Sequence, residues 1–143
     1  MSFKHGKDSN IQIDDIGGTL RDLSAYITEW SNDALERDVH DVTTLGNQGH
    51  RQFLGLYGGS FTCSGEFDPA ASPAVNAVLQ GLMAGPQVNS GTIQIGPAGT
   101  TAGLPKWSFE SFLKSYKVKT TATGMVEFSA EFIMDGAPSF GTF

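Results

Sequence analysis

Cysteine is nearly absent from this sequence. The 143 residues include one cysteine, Cys63, which excludes an intrachain disulfide and any metal site built from several cysteines. Charged residues make up only 17% of the chain, and no hydrophobic run reaches the length that crosses a membrane. The N-terminal segment also lacks the apolar run of a signal peptide, so we expect synthesis and folding in a reducing cytoplasm.

Residues that carry chemistry are equally sparse. The three histidines, His5, His40 and His50, do not have the spacing of a metal site, and surface positions suit them better. Asp38, His40 and Asp41 could be drawn as an acid–base group, but they lie in a polar run that would not hold a catalytic geometry. We therefore predict no catalytic residue, no metal and no cofactor, and we do not expect an enzyme.

Strand patterns dominate the sequence. From residue 60 to residue 67 the chain alternates, as a strand with one buried face requires. The predicted inward side chains are Phe61, Cys63 and Phe67, and the predicted outward ones are Ser60, Thr62, Ser64 and Glu66. Residues 126–134 alternate in the same way, with Glu127, Ser129 and Glu131 opposite the apolar positions. Residues 10–14 and 92–95 read as shorter strands, and residues 24–35 as a mixed one.

Other segments depart from simple alternation. Residues 19–23 have a threonine in a capping position and two leucines three apart, which predicts one helical turn. Ser72 and Pro73 favour an N-cap and a first helical position, which predicts a helix from residue 73 to residue 82. In the strand pattern after Lys106, the apolar residues change from odd-numbered to even-numbered positions. This change predicts a bulge or bend near Ser111.

These patterns predict a mainly β fold in one domain over residues 1–143. We expect a two-layer antiparallel sandwich or partly closed barrel of about seven strands, with one α-helix and a short C-terminal tail at 137–143. Residues 36–53 are predicted to form a long polar loop that protrudes, since they contain too few apolar residues to bury themselves. Such a segment must face water or another subunit.

Several short motifs follow one another in a characteristic order and spacing between residues 22 and 136. They are Asp22-Leu23-Ser24-Ala25-Tyr26, Asp41-Val42-Thr43-Thr44-Leu45-Gly46, Gly55-Leu56, Gly59-Ser60-Phe61, Gly65-Glu66-Phe67-Asp68, the helix at 73–82, the strand at 126–132 and Asp135-Gly136. Each motif is loose by itself, but their order and spacing resemble those of the major tail tube proteins of long-tailed (siphovirus-like) bacteriophages.

This resemblance implies a structural virion protein whose homohexameric rings stack into a hollow tail tube for genome delivery. Assembly in the host cytoplasm is expected, with tape-measure, tail-tip and tail-terminator proteins as further partners and no membrane. The formal charge of −6 per chain would make the ring negative, so that DNA passes through without specific binding.

The resemblance also suggests roles for the polar residues. The protruding loop would contact the next subunit or ring through Arg37, Asp38, His40, Asp41, Thr44 and Arg51. Residues on the polar strand faces could line the bore: Ser60, Thr62, Ser64, Glu66, Glu127 and Glu131. The three lysines of the last third, Lys114, Lys117 and Lys119, read as a solvated face, because no aromatic residue shares it to stack a base.

Two alternatives stay open at this stage. One is the inner tube protein of a contractile tail or of a related secretion system, which no feature of the sequence excludes. The other is a soluble β-sandwich module that binds a ligand, such as a carbohydrate, on a platform of Trp30, Tyr57 or Trp107. The assembly state distinguishes the module from the tube.

Overall fold

The computed structural model describes residues 3–33 and 35–143. Within them are a short 3₁₀ turn at Gly6–Asp8, one α-helix and ten strands, rather than the predicted seven or so. The strands are β1 Asn10–Asp14, β2 Leu20–Asp22, β3 Ile27–Asn32, β4 Glu36–Asp41, β5 Gln52–Gly58, β6 Ser60–Glu66, β7 Gly91–Gly96, β8 Pro105–Lys119, β9 Glu127–Met134 and β10 Ser139–Thr142, and the helix is α1 Val75–Met83.

Eight strands form one antiparallel sheet in which β8 is shared by two halves. The order is β2-β1-β7-β8-β9-β6-β3, with β10 also paired to β8, while β4 and β5 form a separate two-stranded sheet. The first half of β8 pairs with β7 and β10, and its second half pairs with β9. The mainly β, antiparallel prediction is confirmed, and no set of strands in the described residues closes into a barrel.

The two halves of the sheet pack their apolar faces together. The ring of Phe61 on β6 lies 6.2 Å from that of Phe109 on β8 and 6.1 Å from that of Phe132 on β9. Ile11 of β1 and Ile93 of β7 are buried in the same cluster. The alternation predicted for β6 and β9 is confirmed, because Phe61, Cys63, Phe128, Ala130 and Phe132 are all buried.

A bulge in β8 lies three residues later than the sequence predicts. Leu113 pairs with Phe132 and Ser115 with Glu131, so Lys114 is the extra residue. The side chain of Ser111 is buried on the inward face of β8, and its hydroxyl donates a hydrogen bond to the carbonyl of Gly91 at 3.3 Å. The predicted bulge is therefore confirmed, with its position at Lys114, and the offset arises because a buried serine does not read as a core residue.

The helix covers the core, as expected, but it begins later than predicted. Its N-cap is Ala74, which makes no side-chain capping bond, so Ser72 does not cap it. One face of α1 is buried through Val75, Val78, Leu79 and Leu82. Apolar burial therefore holds this helix in place without a polar cap.

Three further predictions need correction. Residues 19–23 do not form a helical turn, because β2 pairs with β1 in this segment. Residues 137–143 are more than a tail, since β10 pairs with the start of β8. The mixed strand at 24–35 is shorter, from Ile27 to Asn32, and its predicted position 34 lies outside the described residues.

Candidate functional site

The outward side chains of β3, β6, β9 and the second half of β8 form one continuous surface, here called the grooved face. It contains all six positions proposed to line a bore, namely Ser60, Thr62, Ser64, Glu66, Glu127 and Glu131, because β6 and β9 pair along their whole length. The pairing aligns Thr62 with Glu131 and Glu66 with Glu127. A groove of about 280 Å³ crosses the four strands.

The grooved face also contains residues that sequence reasoning did not place there. Glu29 and Ser31 of β3 pair with Ser64 and Thr62, so they share the outward side. Lys117 pairs with Ser129 across the other side of the face. Local alternation could not reveal these neighbours, because they depend on which strands pair.

Both outer edges of this four-stranded region lack a strand partner within the described chain. β3 pairs only with β6, and β7 ends opposite Ser111, so residues 112–119 of β8 have a strand on one edge only. Lys117, Val118 and Lys119 at this edge are exposed. Unpaired backbone N–H and C=O groups on a strand edge are a template for another strand.

The charges of the grooved face are nearly balanced. Its carboxylates exceed its ammonium groups by one, and most of the chain's formal charge of −6 therefore lies elsewhere. The acidic residues are Glu29, Glu66, Glu127 and Glu131, and the basic ones are Lys114, Lys117 and Lys119. Lys114 Nζ lies 3.7 Å from Glu131 Oε1, and Lys119 is aligned with Glu127.

A β-hairpin projects from the main sheet where a loop was predicted. Its strands β4 and β5 pair with each other and with no other strand of the described chain, and every residue of β4 is exposed. The protruding segment is therefore longer than residues 36–53, since β5 continues to Gly58. The segment is thus mostly strand, and an irregular loop is confined to residues 42–51.

The hairpin carries three exposed aliphatic side chains, Val39, Leu54 and Leu56, here called the apolar stripe. Val39 is aligned with Leu54, and Leu56 lies in the register shift that follows. Their exposed fractions are 53%, 62% and 81%. Sequence reasoning missed this stripe because it ended the segment at residue 53.

The hairpin also carries polar and aromatic side chains. The Arg37 guanidinium lies 4.6 Å from the centre of the Tyr57 ring and donates a hydrogen bond to its hydroxyl. A methyl group on Gly55 would lie 3.1 Å from Asp38 Cβ and 2.9 Å from His40 Nε2, so these side chains share this surface. Asp38 and His40 are thus brought together, whereas Arg37 packs on Tyr57.

The hairpin tip is organised by its own side chains. Asp41 accepts hydrogen bonds from the Thr43 hydroxyl at 2.6 Å and the Thr43 amide at 2.9 Å, and these lower the pKa of Asp41. The Thr44 hydroxyl donates to Asn47 at 3.0 Å. The Arg51 amide donates to the Thr43 hydroxyl at 2.9 Å. Asp41 and Thr44 therefore shape the tip.

The aromatic platform of a ligand-binding module is not assembled. Trp30 stacks on Phe61 at 6.3 Å, and both Trp30 and Trp107 are partly buried against the core. Tyr57 lies on the hairpin beneath Arg37. Both tryptophans thus pack against the core while Tyr57 lies on the hairpin, so the three side chains do not form a common exposed platform.

Cys63 lies in the core and is not available for chemistry. Burial raises the pKa of its thiol to about 12, so the nucleophilic thiolate is scarce at neutral pH. We predict that iodoacetamide at pH 8 leaves the folded protein unmodified and labels Cys63 fully in denaturant, as measured by intact mass. Rapid labelling of the folded protein would contradict this burial.

Metal-binding clusters and spanning helices are both missing from the described residues. No group of three or more His, Cys, Asp and Glu side chains there is placed to hold a metal ion. No helix in that part of the chain has both the length and the apolarity needed to span a membrane.

The sequence matches no protein-family model and no curated protein. Solved structures do match over nearly the whole chain. A chain from the tail of an empty gene transfer agent particle, determined with C6 symmetry, has 18% identity and a TM-score of 0.74, covering 98% of this chain and all (100%) of that one. The tail tube of SPP1 has 9% identity and a TM-score of 0.71, covering 99% of this chain and 80% of that one.

A third similar structure comes from an extracellular contractile injection system, in a sheath–tube complex in the extended state. Its matched chain has 15% identity and a TM-score of 0.70, covering 99% of this chain and 93% of that one. At these identities the likeness is one of fold. This chain therefore has the fold found in the tails and tail tubes of phage, gene transfer agent and contractile injection particles.

Proposed function

We propose that this protein is the structural subunit of a tail tube, in which rings of six copies stack into a hollow conduit for a genome. The observation that carries the proposal is the likeness in fold, over essentially the full chain, to tail and tail-tube proteins, one of them in a C6-symmetric tail. The chain also offers the two surfaces that such an assembly needs, which are the strand edges and the hairpin.

The strand edges supply ring closure. In the order β8-β9-β6-β3 every neighbour is antiparallel, so β3 of one copy can continue antiparallel to β8 of the next. Four strands from each of six copies, at about 4.8 Å per strand, give a circumference of roughly 115 Å and a diameter of about 37 Å for strands that run along the tube axis. The ring would thus remove both open edges.

The grooved face would then line the bore, including Ser60, Thr62, Ser64, Glu66, Glu127 and Glu131. With one excess negative charge per copy on this face, the wall offers DNA only weak repulsion, and its lysines are matched by carboxylates rather than free to bind phosphates. Six copies would repel DNA far less than the charge of the whole chain suggests. The tube acts as a passive passage, and the protein is not an enzyme.

The hairpin supplies stacking between rings. An isolated two-stranded hairpin is only marginally stable in water, and this one exposes Val39, Leu54 and Leu56. We infer that it is mobile in the free monomer and becomes ordered when the apolar stripe is buried against the adjacent ring. Arg37, Asp38, His40 and Arg51 provide polar contacts at the border of that interface, while Asp41 and Thr44 hold the tip in shape.

The proposal places the protein in the tail of a virion, after assembly in the host cytoplasm. Its partners are copies of itself, the terminator and tail-tip proteins that close the two ends of a tail, and the tape-measure protein that sets its length. Similar folds occur in the cap and baseplate of the anti-feeding prophage and in a sheath/tube terminator, which supports contacts of this kind at the two ends of the tube.

A second candidate of the same kind is the inner tube of a contractile tail or injection system. It is supported by the likeness to the chain from the extended sheath–tube complex. Isolation of native particles decides between the two, because a contractile system would contain a sheath protein around the tube.

Electron microscopy of the purified full-length protein tests the proposal. Negative-stain images over a range of protein concentrations should show six-fold rings and stacked tubes, with sedimentation velocity reporting the same species. A protein that stays monomeric at every concentration would instead favour a soluble β-sandwich module.

A further inference from the structure

We propose that Glu29 of one copy forms an ion pair with Lys117 of the next copy, and that this pair selects the register of the seam between subunits. The inference depends on the proposed ring. It adds a specific polar contact at the junction where β3 of one copy meets the second half of β8 of another.

The two side chains lie on the same surface at opposite edges. Lys117 is aligned with Ser129, Ser129 with Ser64, and Ser64 with Glu29, so the four residues form one row across the sheet. The row therefore ends in an acid at one edge and a base at the other. Copies arranged head to tail bring an acidic end beside a basic end at every seam.

Neither side chain has an ionic partner within the described chain. The ion pairs there are Lys114 with Glu131 and Arg21 with Asp15. Of the other lysines on the grooved face, Lys119 is aligned with Glu127 on its own sheet. Lys117 is opposite an uncharged serine, so it is the lysine left for a carboxylate on another copy.

The buried sides of the two edges agree with the same register. Trp30 follows Glu29 and turns inward against Phe61, while Tyr116 precedes Lys117 and is partly buried against the core. Because the two strands would run antiparallel, a seam that pairs Glu29 with Lys117 places Trp30 beside Tyr116 on the apolar side. A slip of one residue would bring a tryptophan opposite a lysine, so the ionic and apolar contacts favour one alignment.

Charge reversal at the two edges provides the test. Glu29→Lys and Lys117→Glu should each raise the protein concentration at which rings form by about tenfold or more, because every seam then pairs like charges. The double variant E29K/K117E should recover rings. Asp135→Lys is the matched control, since it makes a comparable charge change at an exposed position after β9, away from both seam strands, and should form rings like the wild type.

Mixing the two single variants sharpens the result. In an alternating ring each seam joins either the two substituted side chains, whose charges are opposite, or the two native ones. A one-to-one mixture should therefore assemble although neither variant does alone, and native mass spectrometry should find three copies of each chain in a hexamer. Raising NaCl to 1 M should partly relieve the defect of each single variant, because the Debye length falls to about 3 Å.

The outcomes separate this inference from the proposed ring. A wild-type protein that forms no rings overturns the proposed function and the ion pair with it. Wild-type rings combined with unimpaired Glu29→Lys and Lys117→Glu overturn the ion pair alone. Circular dichroism and thermal unfolding of each variant establish that the monomers are folded, and failure of both the double variant and the mixture would also reject the pair.

Discussion

The double variant Leu54→Asp/Leu56→Asp should form rings that do not stack into tubes. The two leucines are 62% and 81% exposed on the hairpin, and burial of a leucine side chain contributes about 1.5–3 kcal/mol. Six copies of the hairpin would act together at each junction between rings, so the loss should abolish long tubes. The hairpin pairs with no strand of the main sheet in the described chain, so the folded monomer should keep its stability.

Microscopy and sedimentation velocity measure this effect. The control is Leu54→Met/Leu56→Met, which retains an apolar surface of similar volume and should give tubes like those of the wild type. Long tubes from the aspartate variant would remove the apolar stripe from the stacking model. Loss of rings as well as tubes would instead show that the hairpin contributes to the seam within a ring.

Gly65→Ala should strongly destabilise the sheet. A methyl group on Gly65 would lie 1.9 Å from the Tyr26 carbonyl oxygen and 2.8 Å from Ile27 Cα. Neither atom can move cheaply, because that carbonyl accepts from the Glu66 amide at 2.8 Å and Ile27 is aligned with Gly65. We expect a loss of about 3 kcal/mol or more in the free energy of unfolding.

Urea denaturation checks this value through the shift of the midpoint. Gly58→Ala is the matched control, since a methyl group there meets nothing within 4 Å, and its midpoint should stay close to that of the wild type. Because the clash displaces β3 from β6, Gly65→Ala should also prevent ring formation under conditions where the rest of the chain is folded. Equal midpoints for the two variants would contradict the close backbone approach seen at Gly65.

The parts of the fold that the sequence predicts are those with a strong local pattern. β6 and β9 alternate over their whole length, and α1 places Val75, Val78, Leu79 and Leu82 on one face. β10 and β4 are exposed at every position, so no alternation marks them as strands. β2 looks helical from Thr19 to Leu23, and only its pairing with β1 makes it a strand.

The candidate site divides in the same way. The polar positions of β6 and β9 can be predicted from their alternation. That Glu29 and Lys117 lie on the same face depends on the strand order β8-β9-β6-β3. That order is set by contacts between residues far apart in the chain, and a single sequence does not display them. The apolar stripe could be predicted only in part. The sequence shows that Leu54 and Leu56 are apolar, but it does not show that no other part of the fold covers them.

The fifteen-residue length of β8 has a mechanical consequence for a tube under tension. Because one uninterrupted backbone carries both the ladder with β7 and the ladder with β9, a pull along β8 is shared between them through covalent bonds. Separation along the strand would have to shear many hydrogen bonds at once instead of opening them one by one. In the proposed tube, the covalent backbone of β8 would therefore connect the sheet that lines the bore to the sheet behind it.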